Sequence, residues 1–372
     1  MSQQQPSRTS LPPWARDLVQ PIVSSAIAVI VALIAGALVV LLTGDNPWTA
    51  YKALFEGAFV GRRQIAETLV AATPLIIGGL AFAFASRAGM FNIGIEGQLI
   101  MGALAAGIVG TYSLGPRPIG IIIAIGAGIV AGALWGVIPG LLKALSGAHE
   151  VITTIMLNYL ALRVASYAVN SAGDYLPVNP SLQATDKVRP ANELPILLGD
   201  TRLHAGFLLA LLAGIGLWWL LFRSTYGFKV RTVGISPGAA AYGGIPWKRT
   251  IIIAMAISGA LAGLAGASET VGLQGRFYNT SPGYGFTSIA VGLVGRNHPI
   301  GVIAAGLLFG VLRSGATEMQ NTAGVSKEIV QVLQGLVILS VAASAYVSMM
   351  RQRRIAARNA STGTALPAGA KP

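Results

Sequence analysis

The stretch Arg87-Ala-Gly-Met-Phe-Asn-Ile-Gly-Ile-Glu-Gly-Gln98 lies between two strongly apolar runs. It holds three glycines, the amides Asn92 and Gln98, and one carboxylate, Glu96. A membrane helix needs about 20 predominantly apolar residues. Polar or broken backbone at membrane depth survives where it lines a cavity or a helix interface. The stretch therefore reads as an interruption between membrane helices.

Composition extends that reading to the whole chain. Of 372 residues, 53% are hydrophobic and only 10% are Asp, Glu, Lys or Arg, against about 25% in a soluble domain. The mean hydropathy is +0.66. So few charges cannot cover a water-facing surface, which argues against a soluble enzyme and a disordered protein alike. The chain has no cysteine, so disulfides, thiolate chemistry and Cys-based zinc sites are absent. Its 47 glycines suit helices whose backbones approach closely in a membrane.

Ten candidate spans follow: Ile22 to Leu42, then about 67–86, 91–112, 119–143, 150–170, 204–222, 250–272, 286–296, 299–315 and 328–349. The eighth is too short to cross alone and reads as a half-helix. The expected fold is all-α and polytopic. The net charge of +13 is explained by topology rather than by nucleic acid, because Lys and Arg concentrate in cytoplasmic loops. Residues 223–249 carry Arg223, Lys229, Arg231, Lys248 and Arg249 and no acid, and the tail after Met350 is equally acid-free. Both are expected inside, with both termini. The mixed-charge, proline-rich stretch 171–203 is expected as an irregular outer loop. The implied divisions are a cytoplasmic segment 1–20, a membrane domain 21–350 and a basic disordered tail 351–372.

Three further regions break the apolar pattern. His149-Glu-Val-Ile-Thr-Thr-Ile-Met-Leu-Asn-Tyr159 opens a helix carrying Asn158. His149 and Glu150 are adjacent and cannot face one metal together. Glu269 precedes Arg276, an expected interfacial ion pair. Ser281-Pro-Gly-Tyr-Gly-Phe-Thr-Ser-Ile-Ala290 is a short, glycine-interrupted segment. Paired broken segments of this kind point to a transporter's central site. Phe91, Asn92, Glu96, Gln98, Asn158, Tyr284, Phe286 and Ser288 are the candidate pathway residues. Glu96 has three readings: a partner to a neighbouring helix or cap on a broken one, a gate, or a group near the membrane surface. No Lys follows a Gly, so the chain lacks a phosphate-binding P-loop, and it has no His-Glu-x-x-His. No metal or cofactor is expected.

At Phe91-Asn-Ile-Gly-Ile-Glu-Gly-Gln98 the sequence resembles the membrane permeases of bacterial ABC importers for simple sugars and nucleosides, the branch related to the ribose and branched-chain amino acid permeases. His149–Tyr159, Tyr226-Gly-Phe-Lys-Val-Arg-Thr-Val-Gly234 and Gly283-Tyr-Gly-Phe-Thr-Ser-Ile-Ala290 carry the same resemblance. It implies a non-enzymatic transport subunit in a bacterial inner membrane. It also implies separate ABC ATPase subunits, a second permease of the same or a related chain, and an extracytoplasmic substrate-binding protein. A nucleoside is the implied substrate more than a free sugar.

The segment Gly234-Ile-Ser-Pro-Gly-Ala-Ala-Ala-Tyr-Gly-Gly-Ile-Pro246 is similar to the short helix by which such permeases dock on their ATPase. Pro237 can start it, the alanines favour it, and Gly243-Gly244 can end it. Gly234, Pro237, Ala240, Tyr242, Gly243, Gly244, Ile245 and Pro246 are the coupling candidates. Where an acid often stands, this chain has Ala239. Two other readings remain open on residues alone: an ion-gradient transporter using Glu96 or Glu269, and a channel or receptor-like protein.

Overall fold

The computed structural model describes residues 29–171, 175–281, 283–326, 328–340, 343 and 350. The expected segments 1–20 and 351–372, the start of the first span and most of the end of the tenth lie outside the described residues. The chain forms two units, Met1–Pro47 with Gln331–Pro372, and Trp48–Val330. In the first, the described residues form α1 (Val29–Leu42) and most of α13 (Glu328–Ser340).

The second unit is helical, in the order α2 (Pro47–Phe59), α3 (Arg62–Arg87), α4 (Ile95–Gly110), α5 (Arg117–Ser146), α6 (Glu150–Ser171), α7 (Gly206–Arg223), α8 (Thr225–Ile235), α9 (Pro237–Tyr242), α10 (Trp247–Glu269), α11 (Tyr284–Val294) and α12 (Pro299–Ala323). Six of these, α3, α5, α6, α7, α10 and α12, are long and apolar enough to cross a membrane. The protein is an all-α, multi-pass membrane protein.

The central helix is α3, buried along nearly its whole length and packed by α7, α10, α11 and α12. Beside it, α4, α5 and α10 meet backbone to backbone. Gly128, Gly132 and Gly136 recur every fourth residue on α5 and face Gly259 and Gly263 on α10, while Gly102 of α4 faces Gly263. A Cβ on any of these would strike the opposite main chain. In a membrane, such close dispersion contact replaces the hydrophobic drive that holds helices together in water. The outward faces of α5, α6 and α7 expose Ile122, Leu134, Tyr159, Leu212 and Trp219, as lipid-facing helices do.

Two helices are short. At about 1.5 Å per residue, the 11 residues of α11 cover roughly half of a 30 Å hydrocarbon core. The half-helix expected at 286–296 is thus α11. The expected span 91–112 also shortens, because residues 91–94 are not helical and α4 begins at Ile95. The span expected at 299–315 runs eight residues further, to Ala323. In α10 the helix widens into a π-helical turn at Thr270–Gln274.

The proline-rich stretch is not simply irregular. Residues 178–179 and 184–185 pair as antiparallel strands β1 and β2 around an Asn179-capped turn. The Thr185 and Val188 amides donate to the carbonyls of Phe277 and Gly275, and the Leu194 amide donates to Val271 within the widened turn. Asn192 Nδ2 donates to the Gly110 and Tyr112 carbonyls at 2.8 and 2.9 Å. The loop thereby satisfies carbonyls that the end of α4 leaves without an intrahelical partner. Arg202 makes a two-pronged ion pair with Glu67, at 2.9 and 2.5 Å, and this carboxylate holds the guanidinium above its ordinary pKa. Between α7 and α10 the expected inner segment holds α8 as well as the expected short helix, α9.

Candidate functional site

The two interrupted segments meet. Glu96 stands in the first turn of α4 and is almost fully buried. Its Oε1 accepts from Ser281 Oγ at 2.6 Å and from the Gly283 amide at 3.0 Å. Its Oε2 accepts from the Gly285 amide at 2.6 Å. No side chain of its own segment caps α11. Glu96 therefore supplies the cap from another helix and places a negative charge at the positive end of the α11 dipole.

The start of α4 is built in the same manner. Asn158, on α6, accepts from the Gly97 amide at 2.8 Å and donates to the Ile93 carbonyl at 2.9 Å. Asn92 accepts from the Gly94 amide at 2.9 Å and donates to Gln98 at 3.0 Å and to Ser258 at 2.9 Å. Ser258 donates on to the Ala81 carbonyl of α3. A buried polar group is costly unless it is paired. Asn92 and Gln98 meet this demand through each other, and Glu96 and Asn158 meet it through the free amides at the starts of α11 and α4.

The eight pathway candidates thus separate into groups. Asn92, Glu96, Gln98 and Asn158 form one buried network that joins α3, α4, α6, α10 and α11. Ser288 is buried near Gly78 of α3, and its Oγ has no hydrogen-bond partner among the described residues. Phe91 and Phe286 are partly exposed, Phe91 standing edge-on to Phe82. Tyr284 opens α11 and lies under the guanidinium of Arg313, 4.2 Å from its ring centre. Ser258, Ser281 and Arg313 were not among the sequence candidates. The available signal was a lone hydroxyl or charge within an apolar helix or beside a glycine break.

The expected Glu269–Arg276 ion pair does not form among the described residues. Glu269 Oε1 accepts from Gln274 Nε2 at 3.3 Å and from the Tyr284 hydroxyl at 3.4 Å. Arg276 lies instead over Tyr278. Between them Gly275 adopts a left-handed turn, with φ +65°, which redirects the chain.

The segment expected as the coupling element folds as the short helix α9. Ser236 caps it, accepting from the Ala239 amide at 3.2 Å, and Pro237 is its first residue. Gly234-Ile-Ser-Pro-Gly238 also spells the Gly-x-Ser-x-Gly of a hydrolase nucleophile elbow, but the Ser236 oxygen is engaged as this cap. Ala240 is buried against Ala85, Met90, Val233, Ile251 and Met255, with Ile245 packed beside them. Tyr242 and Ile235 project outward, 99% and 87% exposed. Of the two terminal glycines, Gly244 has the left-handed conformation, with φ +73°, whereas Gly243 has φ −79°. Below α9, Gly234 rests on the backbone of Arg87 and Gly89. Arg87 Nε donates to the Asn297 carbonyl, and Asn297 Nδ2 to Ser86 Oγ. The far end of α11 is thus tied, through the turn 295–298 and the end of α3, to the foot of the α8–α9 segment.

A family model described as branched-chain amino acid transport system / permease component matches residues 64–342. The chain is 42% identical to the guanosine ABC transporter permease protein NupP of Bacillus subtilis, over 86% of this chain and 92% of that one. It is 36% identical to the nucleoside ABC transporter permease protein NupB of Lactococcus lactis, over 87% and 91%. It is 33% identical to the glucose ABC transporter permease protein TsgB13 of Haloferax volcanii, over 87% and 88%. No solved structure gives a significant match. With its half-helices, its bracing network and a family match over most of its length, the chain belongs to the permease components of the branched-chain amino acid transport system family.

Proposed function

We propose that this protein is the permease subunit of an ATP-driven importer for nucleosides, working in a bacterial inner membrane with both termini in the cytoplasm. The observation that carries the substrate class is the 42% identity to a guanosine permease across nearly the whole of both chains. Hydrolysis falls to separate ATPase subunits, since the chain has no P-loop. A second permease and an extracytoplasmic binding protein complete the complex.

Helix α9 is the surface offered to the ATPase. It is short, rigidly seated through Ala240, and presents Tyr242 to solvent. The acid-free basic segment around it supports a cytoplasmic position. Motion at α9 reaches the junction of α4 and α11 through Gly234, Arg87, Asn297 and the length of α11. The pathway is proposed to run beside that junction, with Asn92, Glu96, Gln98, Asn158 and Ser288 bracing it and Phe91, Tyr284 and Phe286 on its accessible side.

The ion-gradient alternative is not favoured. Both carboxylate oxygens of Glu96 are engaged by donors at and just before the start of α11, which supports a bracing role for the group rather than ion coupling. The test is uptake of radiolabelled nucleoside by vesicles carrying the complete complex. ATP inside should drive accumulation in the presence of the binding protein. Accumulation driven by an imposed pH or sodium gradient without ATP would overturn the proposal.

A further inference from the structure

Two polar stripes face each other at the end of the bundle that holds Arg202. On α12, Arg313, Thr317 and Asn321 recur every fourth residue. On α3, Gln64 and Glu67 lie one turn apart. Together with Arg202 and Tyr284 they line a cavity of about 620 Å³. That volume falls within the roughly 300–1,000 Å³ of small-molecule sites. A polar stripe on a helix this apolar points to a pathway or a binding surface, and no residue of the bracing network lines it.

The lining is specific about its ligand. Glu67 is engaged by Arg202. Arg313 has no carboxylate within ion-pair distance among the described residues, and its guanidinium lies over the ring of Tyr284. It shares the lining with the amides of Gln64 and Asn321 and the hydroxyl of Thr317. Three arginines and two glutamates line the space, so the charge is nearly balanced, and the amides and hydroxyls among them can both donate and accept. This suits a neutral ligand with a carbonyl or ring-nitrogen edge and several hydroxyls. Arginine meets such acceptor edges of a purine with paired N–H donors.

We propose that this cavity is a docking site for the nucleoside, with Arg313 donating to the acceptor edge of the base and Gln64, Thr317 and Asn321 meeting the sugar hydroxyls. It rests on the nucleoside reading above and assigns that ligand a place. The ligand would lie directly against Tyr284, the first residue of α11. Occupancy is then felt by the helix whose start Glu96 caps and whose end reaches the α8–α9 segment.

The test uses the assembled complex in vesicles. This chain has no cysteine, so Thr317→Cys gives this subunit a single site for a membrane-impermeant thiol reagent, read on the isolated subunit band. Saturating guanosine should slow that labelling at least threefold, and should leave a control cysteine at Ser181 unchanged. Arg313→Gln should lower uptake at limiting guanosine about 10- to 100-fold, the loss expected for a charged hydrogen bond, while the binding protein still stimulates ATP hydrolysis. If the wild type accumulates no nucleoside, the proposed substrate class fails. If it does, but Thr317→Cys is unprotected and Arg313→Gln transports normally, the cavity proposal alone is overturned. Protection by a nucleoside monophosphate and not by guanosine would also overturn it, in favour of an anion site.

Discussion

The carboxylate of Glu96 accepts the amide N–H of Gly285 at 2.6 Å, so one half-helix carries the N-terminal cap of the other. Gly285 has no alternative at this contact, because a Cβ there would fall on the backbone of Glu96. The two helices are therefore locked start to start, each with its N-terminus turned toward the same buried charge. Asn158 completes the joint by capping α4 from α6.

Glu96→Gln keeps the shape but replaces an acceptor oxygen with a donor that faces an N–H. It should destabilise the protein by about 1.5–3 kcal/mol, the usual worth of a hydrogen bond to a charged group. Thermal unfolding in detergent would register this as a lowered midpoint. ATP-driven uptake should persist below that midpoint, because the group braces rather than couples. Complete loss of uptake in a fully folded Glu96→Gln protein would contradict a bracing role.

Asn158→Ala leaves the Gly97 amide and the Ile93 carbonyl buried without their partner. Each such orphan costs about 1–3 kcal/mol, so this change should exceed Glu96→Gln in its effect on unfolding. Asn158→Asp can still accept but cannot donate, and belongs with the damaging changes. The two sites share one joint, so the double variant Glu96→Gln with Asn158→Ala should be non-additive by more than about 0.5 kcal/mol.

At α9 the two glycines should differ. Gly244→Val forces a β-branched residue into a left-handed conformation, at roughly 1–3 kcal/mol of local strain. It should reduce uptake and ATPase stimulation together. Gly243→Ala meets no unusual φ and only distant neighbours, and should transport nearly normally. Tyr242→Ala removes a fully exposed ring, so stability should stay within about 0.5 kcal/mol. Retained ATPase stimulation in Tyr242→Ala would move the docking surface away from α9.

Topology has a direct measurement. Ser181 is exposed on the loop beside β1, and Gly238 is exposed on α9 with room for a side chain. In intact cells an impermeant thiol reagent should label Ser181→Cys and spare Gly238→Cys until the membrane is opened. Gly238 is a better reporter than Ser236, whose hydroxyl caps α9. Labelling of Gly238→Cys from outside would reverse the proposed orientation.

Sequence alone carried the long helices, because a bilayer imposes length and apolarity on each span independently of its neighbours. It also carried the limits of α9, where Pro237 and the Gly243-Gly244 pair act locally. That Asn92, Glu96 and Asn158 need partners was legible too, since polar groups in apolar helices demand one. What those partners are was decided only by the tertiary structure. Glu96 and Gly285 are 189 residues apart in sequence, and no periodicity links a carboxylate on one helix to the free amides of another. The surroundings of Glu269 were hidden for another reason: the left-handed turn at Gly275 carries Arg276 away, and Gln274 and Tyr284 take its place. Distance in sequence hid the cavity as well. Arg313, Thr317 and Asn321 look like the frayed polar end of a span until α12 is seen to continue to Ala323 and to turn that stripe toward α3.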